Sequence, residues 1–96
     1  MRPERLIIRK HIPVDELLAG LAEEASELAQ AALKYRRALT GANPTPVTEE
    51  DAYDQMLTEI ADVQLYLSML DINWLVVDDT KDEKIERWAK RLEEKG

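Results

Sequence analysis

The chain has 96 residues, 34% of them charged, with a formal net charge of −7 and no cysteine, which excludes disulfides and thiolate metal sites. This length allows one domain, residues 1–96, and such a domain buries only roughly 60–65% of its unfolded surface, so a partner subunit would help to complete the core. The acidic balance disfavours nucleic-acid binding, and the lack of a signal peptide or of an apolar run near ~20 residues predicts a cytoplasmic protein without membrane contact.

The N-terminal half of the chain is predicted to hold one long helix. Residues 1–10 are basic and are expected to be irregular or a short strand, and His11 is expected on the surface. The helix is predicted from about Pro13 to Leu39, with Gly41 as its C-cap. Its apolar stripe consists of Leu17, Leu18, Leu21, Ala25, Leu28, Ala29 and Ala32.

A second long helix is predicted after a stiff turn. Asn43-Pro44-Thr45-Pro46 forbids helix, and Thr48 with Asp51 predicts a capping box that opens a helix from about Glu49 to Leu70. The apolar stripe of this helix consists of Tyr53, Met56, Leu57, Ile60, Val63, Leu67 and Leu70.

The C-terminal part is predicted to be a connector followed by a third helix. Residues 72–77, INWLVV, form an apolar connector that should pack on the bundle or on a second subunit. Thr80 with Glu83 predicts a capping box, and the helix should span about Lys81 to Glu94 with Trp88 in the core. The predicted fold is therefore all-α, an antiparallel helical hairpin plus a C-terminal helix, forming a four-helix-type bundle on oligomerisation.

Two spaced pairs of acids mark the long helices. Glu24 and Glu27 fall about 80° and 140° from the centre of their apolar stripe, and Glu59 and Asp62 fall about 80° and 140° to the same side of theirs. Both pairs also lie at a similar number of residues from the turn. Because antiparallel packing brings equal offsets to the same side, four carboxylates should meet at the edge of the hairpin.

Four carboxylates at one place repel one another, and a hard divalent cation with oxygen ligands neutralises them. Mg²⁺ suits such a site because it keeps several waters and shares itself with substrate phosphates. Gly20 and Ala31 are small and lie on the same side, which would leave room for a ligand. The alternative is that these are ordinary solvated acids in a highly charged chain.

Cations and one aromatic residue complete the candidate site. Lys84, Arg87 and Arg91 follow one flank of the third helix, where they could contact a polyphosphate; a salt-bridged surface helix is the alternative. Tyr66, one turn beyond Asp62, is the candidate for stacking on a base, and Lys34 is a further candidate substrate contact.

The segments EEASELAQAALKYRRAL, NPTP, EIADVQLYL and EKIERWAKRLEE together resemble the MazG-like branch of the all-α nucleoside triphosphate pyrophosphohydrolases. The family signature is Glu-x-x-Glu followed by Glu-x-x-Asp on the next long helix. Glu24, Glu27, Glu59 and Asp62 fill those places. The run KIER is similar to the Lys-x-x-Arg of the last helix in that family.

The resemblance implies hydrolysis of a nucleoside triphosphate to the monophosphate and pyrophosphate, with Mg²⁺ as the cofactor and Mn²⁺ as an alternative. It implies that the four signature acids hold the metal and that Glu24 or Glu23 acts as the general base. It also implies that Lys84 and Arg87 contact phosphate, and that the chain forms a homodimer or homotetramer.

Three other functions compete with this one. A non-catalytic oligomeric helical adaptor would leave the acids solvated, and a nucleotide-binding regulator would bind without cleaving. A di-iron carboxylate bundle ranks last because it needs Glu-x-x-His motifs on two helices, and the single histidine, His11, lies outside the predicted helix interiors.

Overall fold

The computed structural model describes residues 2–41 and 47–96. Within them the chain forms four helices: α1 Pro3–His11, α2 Val14–Thr40, α3 Glu49–Met69 and α4 Trp74–Lys95. The predicted all-α class is confirmed, and both ends of α2 and α3 lie within one residue of their predicted positions. The predicted proline-rich turn at 43–46 lies outside the described residues.

The inner ends of the hairpin are capped as predicted. Gly41 adopts the left-handed conformation, with φ of 66°, and its N–H donates to the carbonyl of Arg37. Only a residue without Cβ takes up this conformation at low cost, so Gly41 can end α2 cleanly. Thr48 opens α3, and its Oγ1 accepts a hydrogen bond of 3.1 Å from the N–H of Asp51.

The N-terminal segment is a helix, so the predicted irregular or extended structure is wrong. Pro3 occupies the first turn of α1, where a missing N–H costs nothing. Basic residues end the helix, where they complement its dipole. Arg9 reaches the start of the α3–α4 connection and pairs with Asp71 at 2.8 Å, and α1 packs against α3. His11 is exposed, as predicted, at the end of α1.

The last helix begins seven residues earlier than predicted, at Trp74 rather than Lys81. The predicted apolar connector is therefore mostly the first turn of α4, and the predicted capping box of Thr80 and Glu83 is wrong because both lie inside the helix. The true N-cap is Asn73, whose side-chain oxygen accepts a hydrogen bond of 3.3 Å from the N–H of Val76.

The hairpin of α2 and α3 is antiparallel, but the two helices do not meet stripe to stripe. The residues buried between them are Leu17, Ala31, Ala52 and Met69. Leu18 and Leu57, which belong to the predicted stripes, remain 51% and 44% exposed. Both helices are thus rotated about their axes, so that their acid-bearing faces point towards each other.

The C-terminal helix α4 stands apart from the hairpin and packs on no other described helix. The radius of gyration is 17.4 Å, against about 12–13 Å for a compact domain of this length. The prediction that Trp88 belongs to the core is wrong for the single chain, since its side chain is 63% exposed. No helix in the described ranges is long and apolar enough to cross a bilayer.

Candidate functional site

The acids lie in the contact between α2 and α3 because they share a helix face with the buried residues. On α2, Leu17, Glu24 and Ala31 recur every seven residues. On α3, Ala52, Glu59 and Tyr66 recur in the same way. Seven residues make nearly two helical turns, so each set lies on one side of its helix. The middle residue of each set is therefore a glutamate, Glu24 on α2 and Glu59 on α3.

Three carboxylates meet there. Glu24, Glu27 and Glu59 each place one oxygen within 4.8 Å of the others. The Oε2 atoms of Glu24 and Glu59 are buried, and neither has a hydrogen-bond partner in the described part of the chain. The predicted convergence is confirmed for these three residues, of which Glu24 and Glu59 are half-buried between the helices and Glu27 is exposed at the edge of the contact.

Burial and mutual repulsion act on these carboxyl groups in the same direction. Burial raises the pKa of Glu24 above its usual value, and the negative charges of Glu27, Asp62 and Glu59 add to that shift. The pKa of Glu59 is raised by burial first, then by Glu27 and Asp62. Both pKa shifts favour the protonated form of the carboxyl group. The folded chain therefore gathers more negative charge at this place than it balances with positive charge.

The other two predicted acids lie beside this group. Asp62 is half-buried and close enough to raise the pKa values of Glu24 and Glu59, but it is outside the set of three converging oxygens. Glu23 is exposed, in a shallow depression that it shares with Glu27. The structure thus brings all the predicted acids to one region, with Glu23 on its outer side.

Tyr66 lies against the backbone of α2. A Cβ added at Gly20 would overlap the Tyr66 ring and would fall 2.8 Å from its hydroxyl oxygen. The room predicted at Gly20 is therefore filled by this ring, and Ala31 is buried rather than open. Tyr66 also lines a mainly apolar cavity of about 310 Å³, which it shares with Ile8 of α1 and with Ile12, the residue that follows α1.

A larger cavity opens on the opposite side of the acids, towards the inner end of the hairpin. Its volume is about 620 Å³, within the range of small-molecule sites. Glu27 and Glu59 form one end, and Lys34 and Arg37 form the other. The residues between them are Gln30, Ala31, Leu33, Gln55 and Thr58.

The predicted cations of α4 do not reach the acids within one chain. Lys84, Arg87 and Arg91 are exposed on a helix that does not touch the hairpin. Arg87 and Arg91 border a shallow groove with Lys90 and Glu94 on α4 itself. Lys34 is the one predicted cation that lines a cavity together with the acids.

Arg37, Gln55 and Thr58 line the large cavity, and sequence reasoning missed all three. The sequence does contain a pattern that includes Arg37. Polar residues recur along one flank of α2 at spacings of three and four residues, namely Glu27, Gln30, Lys34 and Arg37. Offsets counted from the centre of the widest apolar stripe predict that this flank of α2 faces solvent.

Comparisons of the chain with protein-family models, with curated proteins and with solved structures find no match. The resemblance to the MazG-like pyrophosphohydrolases therefore rests on the sequence segments named above, chiefly on their four acid positions. Any function proposed for the chain rests on the chemistry of its own residues.

Proposed function

We propose that this chain is a cytoplasmic, Mg²⁺-dependent nucleoside triphosphate pyrophosphohydrolase, which converts a nucleoside triphosphate and water to the monophosphate and pyrophosphate. One observation carries the proposal. Glu24, Glu27 and Glu59 converge within 4.8 Å, and two of their oxygens are buried without a partner. A buried polar atom without a partner is costly, so such a group is commonly completed by an ion or water.

The donor set fits a hard divalent cation. All the converging atoms are carboxylate oxygens, the ligands that Mg²⁺ prefers. Oxygens bound to one Mg²⁺ at about 2.1 Å are at most about 4.2 Å apart. Small side-chain rotations would therefore bring Glu24, Glu27 and Glu59 to one ion, with Asp62 beside them for a second contact. When bound, such an ion supplies an activated water and neutralises phosphate charge.

The chain's own residues then have distinct tasks. Water adds to the α-phosphorus, and the bond from that phosphorus to the bridging oxygen breaks. Glu24 would take the proton from the attacking water, and Glu23, on the outer side of the acids, is the alternative base. The pyrophosphate leaves with negative charge that cations must balance. Lys34 is available for this within the hairpin, whereas Lys84 and Arg87 are available only across an assembly.

Assembly into a homodimer or homotetramer is part of the proposal. The apolar residues Ile85, Trp88 and Leu92 are all more than half exposed on α4, and Leu18 and Leu57 are exposed on the hairpin. Soluble monomers rarely leave apolar surface of this extent uncovered. A second copy of the chain is the partner that the short length and the extended shape favour.

The test is pyrophosphate release from a panel of ribo- and deoxyribonucleoside triphosphates, in Mg²⁺ and in EDTA. Glu59→Gln and Asp62→Asn should each lower the Mg²⁺-dependent rate about 100-fold or more, because a charged oxygen aimed at phosphate-bound metal becomes a neutral group. Glu50→Gln, on the exposed face of α3, is the matched control and should keep full activity. Full activity in both site variants would overturn the proposal.

The exposed apolar face of α4 also favours a second candidate, the non-catalytic adaptor. The same assay separates the two, since an adaptor would release no pyrophosphate and would show no thermal shift with Mg²⁺. A nucleotide-binding regulator would show the thermal shift without turnover.

A further inference from the structure

The large cavity between α2 and α3 joins two charged groups of opposite sign. Its acid end is formed by Glu27 and Glu59, and its other end is formed by Lys34 and Arg37. The position of the cations on α2 orients them towards the acids. Lys34 and Arg37 lie about 10 and 15 Å further along the axis than Glu27 at 1.5 Å per residue. Helical side chains lean towards the N-terminus, so both side chains lean back towards the acids.

Neither cation has a carboxylate partner within the described ranges. Both are half-buried, in a chain that carries 20 acids against 13 Lys and Arg. Arg9 and Lys81 are the two cations that form an ion pair with an acid within the described residues, so the half-burial of Lys34 and Arg37 beside the cavity is what distinguishes them. Lys34 and Arg37 instead face a cavity, where their donors are available to an anion.

We propose that Lys34 and Arg37 form an anion subsite that holds the terminal phosphates of the substrate, and so the leaving pyrophosphate. The subsite rests on the proposed function, and it defines the orientation in which the substrate would bind. The phosphate chain runs from the acids towards the inner end of the hairpin. The nucleoside then extends the other way, towards Tyr66 and the apolar cavity that it shares with α1.

The residues between the two ends suit this direction. Gln30 and Gln55 offer neutral donors along the wall of the cavity, whereas the hydroxyl of Thr58 donates to the carbonyl of Asp54. Leu33 and Ala31 supply the apolar part of the lining and carry no charge that would compete with the cations. An arginine adds a planar fork of donors that matches phosphate oxygens, which makes Arg37 the stronger of the two contacts.

The experiment is calorimetric titration of inorganic pyrophosphate, and separately of a nucleoside monophosphate, into the wild-type protein and three variants in Mg²⁺ and in EDTA. Arg37→Gln and Lys34→Gln should each weaken pyrophosphate binding about tenfold or more, the loss of a charge-assisted hydrogen bond. Their affinity for the monophosphate should be unchanged. Arg36→Gln is the matched control, because it removes the same charge from the exposed face of α2.

Three outcomes would overturn the subsite: no pyrophosphate binding to the wild-type protein, unchanged binding in both cavity variants, or an equal loss in Arg36→Gln. A monophosphate affinity that falls while pyrophosphate affinity holds would reverse the direction of the ligand and also overturn the proposal. Hydrolysis is measured separately. Turnover without the expected variant pattern removes only the subsite, and the variant pattern without turnover removes only the reaction.

Discussion

Gly20 sets how closely α2 approaches Tyr66, and its substitution by alanine tests the packing beside the acids. Two effects of opposite sign act in Gly20→Ala. Alanine favours a helix interior over glycine by about 1 kcal/mol. The added Cβ would overlap the Tyr66 ring, and overpacking of this kind costs about 1–3 kcal/mol. We expect a net loss of up to about 2 kcal/mol in the free energy of unfolding.

The effect of Gly20→Ala on the free energy of unfolding should change sign once the Tyr66 ring is removed. In a Tyr66→Ala background nothing opposes the helix propensity, so Gly20→Ala should stabilise the protein by about 1 kcal/mol. The coupling between the two sites is then the overlap term alone, about 1–3 kcal/mol. Ala22→Gly, at an exposed position of the same helix, measures the propensity term in this protein. The assay is urea unfolding of all variants at one protein concentration, since assembly adds a concentration dependence.

If the effects of Gly20→Ala and Tyr66→Ala on the free energy of unfolding are additive within about 0.5 kcal/mol, this reasoning is refuted, because additivity is expected of sites that do not touch. Stabilisation of the otherwise wild-type protein by the full propensity term would refute it as well. Glu24 lies one turn from Gly20 and Asp62 one turn from Tyr66. The same overlap should therefore also weaken the proposed binding of Mg²⁺ in Gly20→Ala.

Two further outcomes follow from the charges and from α4. In EDTA, the free energy of unfolding should fall as pH rises above about 4.5, because the raised pKa values of Glu24 and Glu59 make the folded chain bind more protons than the unfolded chain in that window. Mg²⁺ should raise the melting temperature more at pH 7 than at pH 5. If the double variant Glu24→Gln/Glu59→Gln keeps the wild-type pH profile, these two carboxyl groups are not its cause. Trp88→Ala should shift size-exclusion and light-scattering profiles towards the monomer, whereas Lys90→Ala, on another face of α4, should not; equal assembly in both would contradict a role for the α4 face.

Local signals made the hairpin predictable. Thr48 and Gly41 carry their own capping chemistry, so the inner ends of α2 and α3 follow from a few adjacent residues. The start of α4 also had a local signal, Asn73 three residues before Val76. It was overlooked because the apolar residues of INWLVV suggested a buried connector, whereas they lie in a helical turn that other helices of the same chain do not cover.

The site was predictable in part, for a different reason. The matched offsets of the acid pairs depend only on helical periodicity and antiparallel order, so the acids of the two helices stay level and on the same side of the hairpin when both helices turn by the same angle. The turn that the structure shows brings Glu24, Glu27 and Glu59 together. The offsets do not determine whether the acids are buried. Their burial depends on which face of each helix packs against the other, and helical periodicity cannot decide this when apolar residues are spread over a wide arc. Arg37 and Gln55 were missed on the same account.

The rotation of the hairpin connects the acids to the exposed apolar surface. Turning the acid-bearing faces of α2 and α3 towards each other leaves Leu18 and Leu57 facing out, and it places Glu24 and Glu59 where their charge is costly. A single chain that packed for stability alone would bury the leucines and expose the acids. The arrangement is favourable if a second copy covers the leucines and a cation neutralises the acids. The acid cluster and the outward apolar face are therefore two consequences of one packing, and the proposed assembly and the proposed metal binding would each offset the cost that this packing leaves.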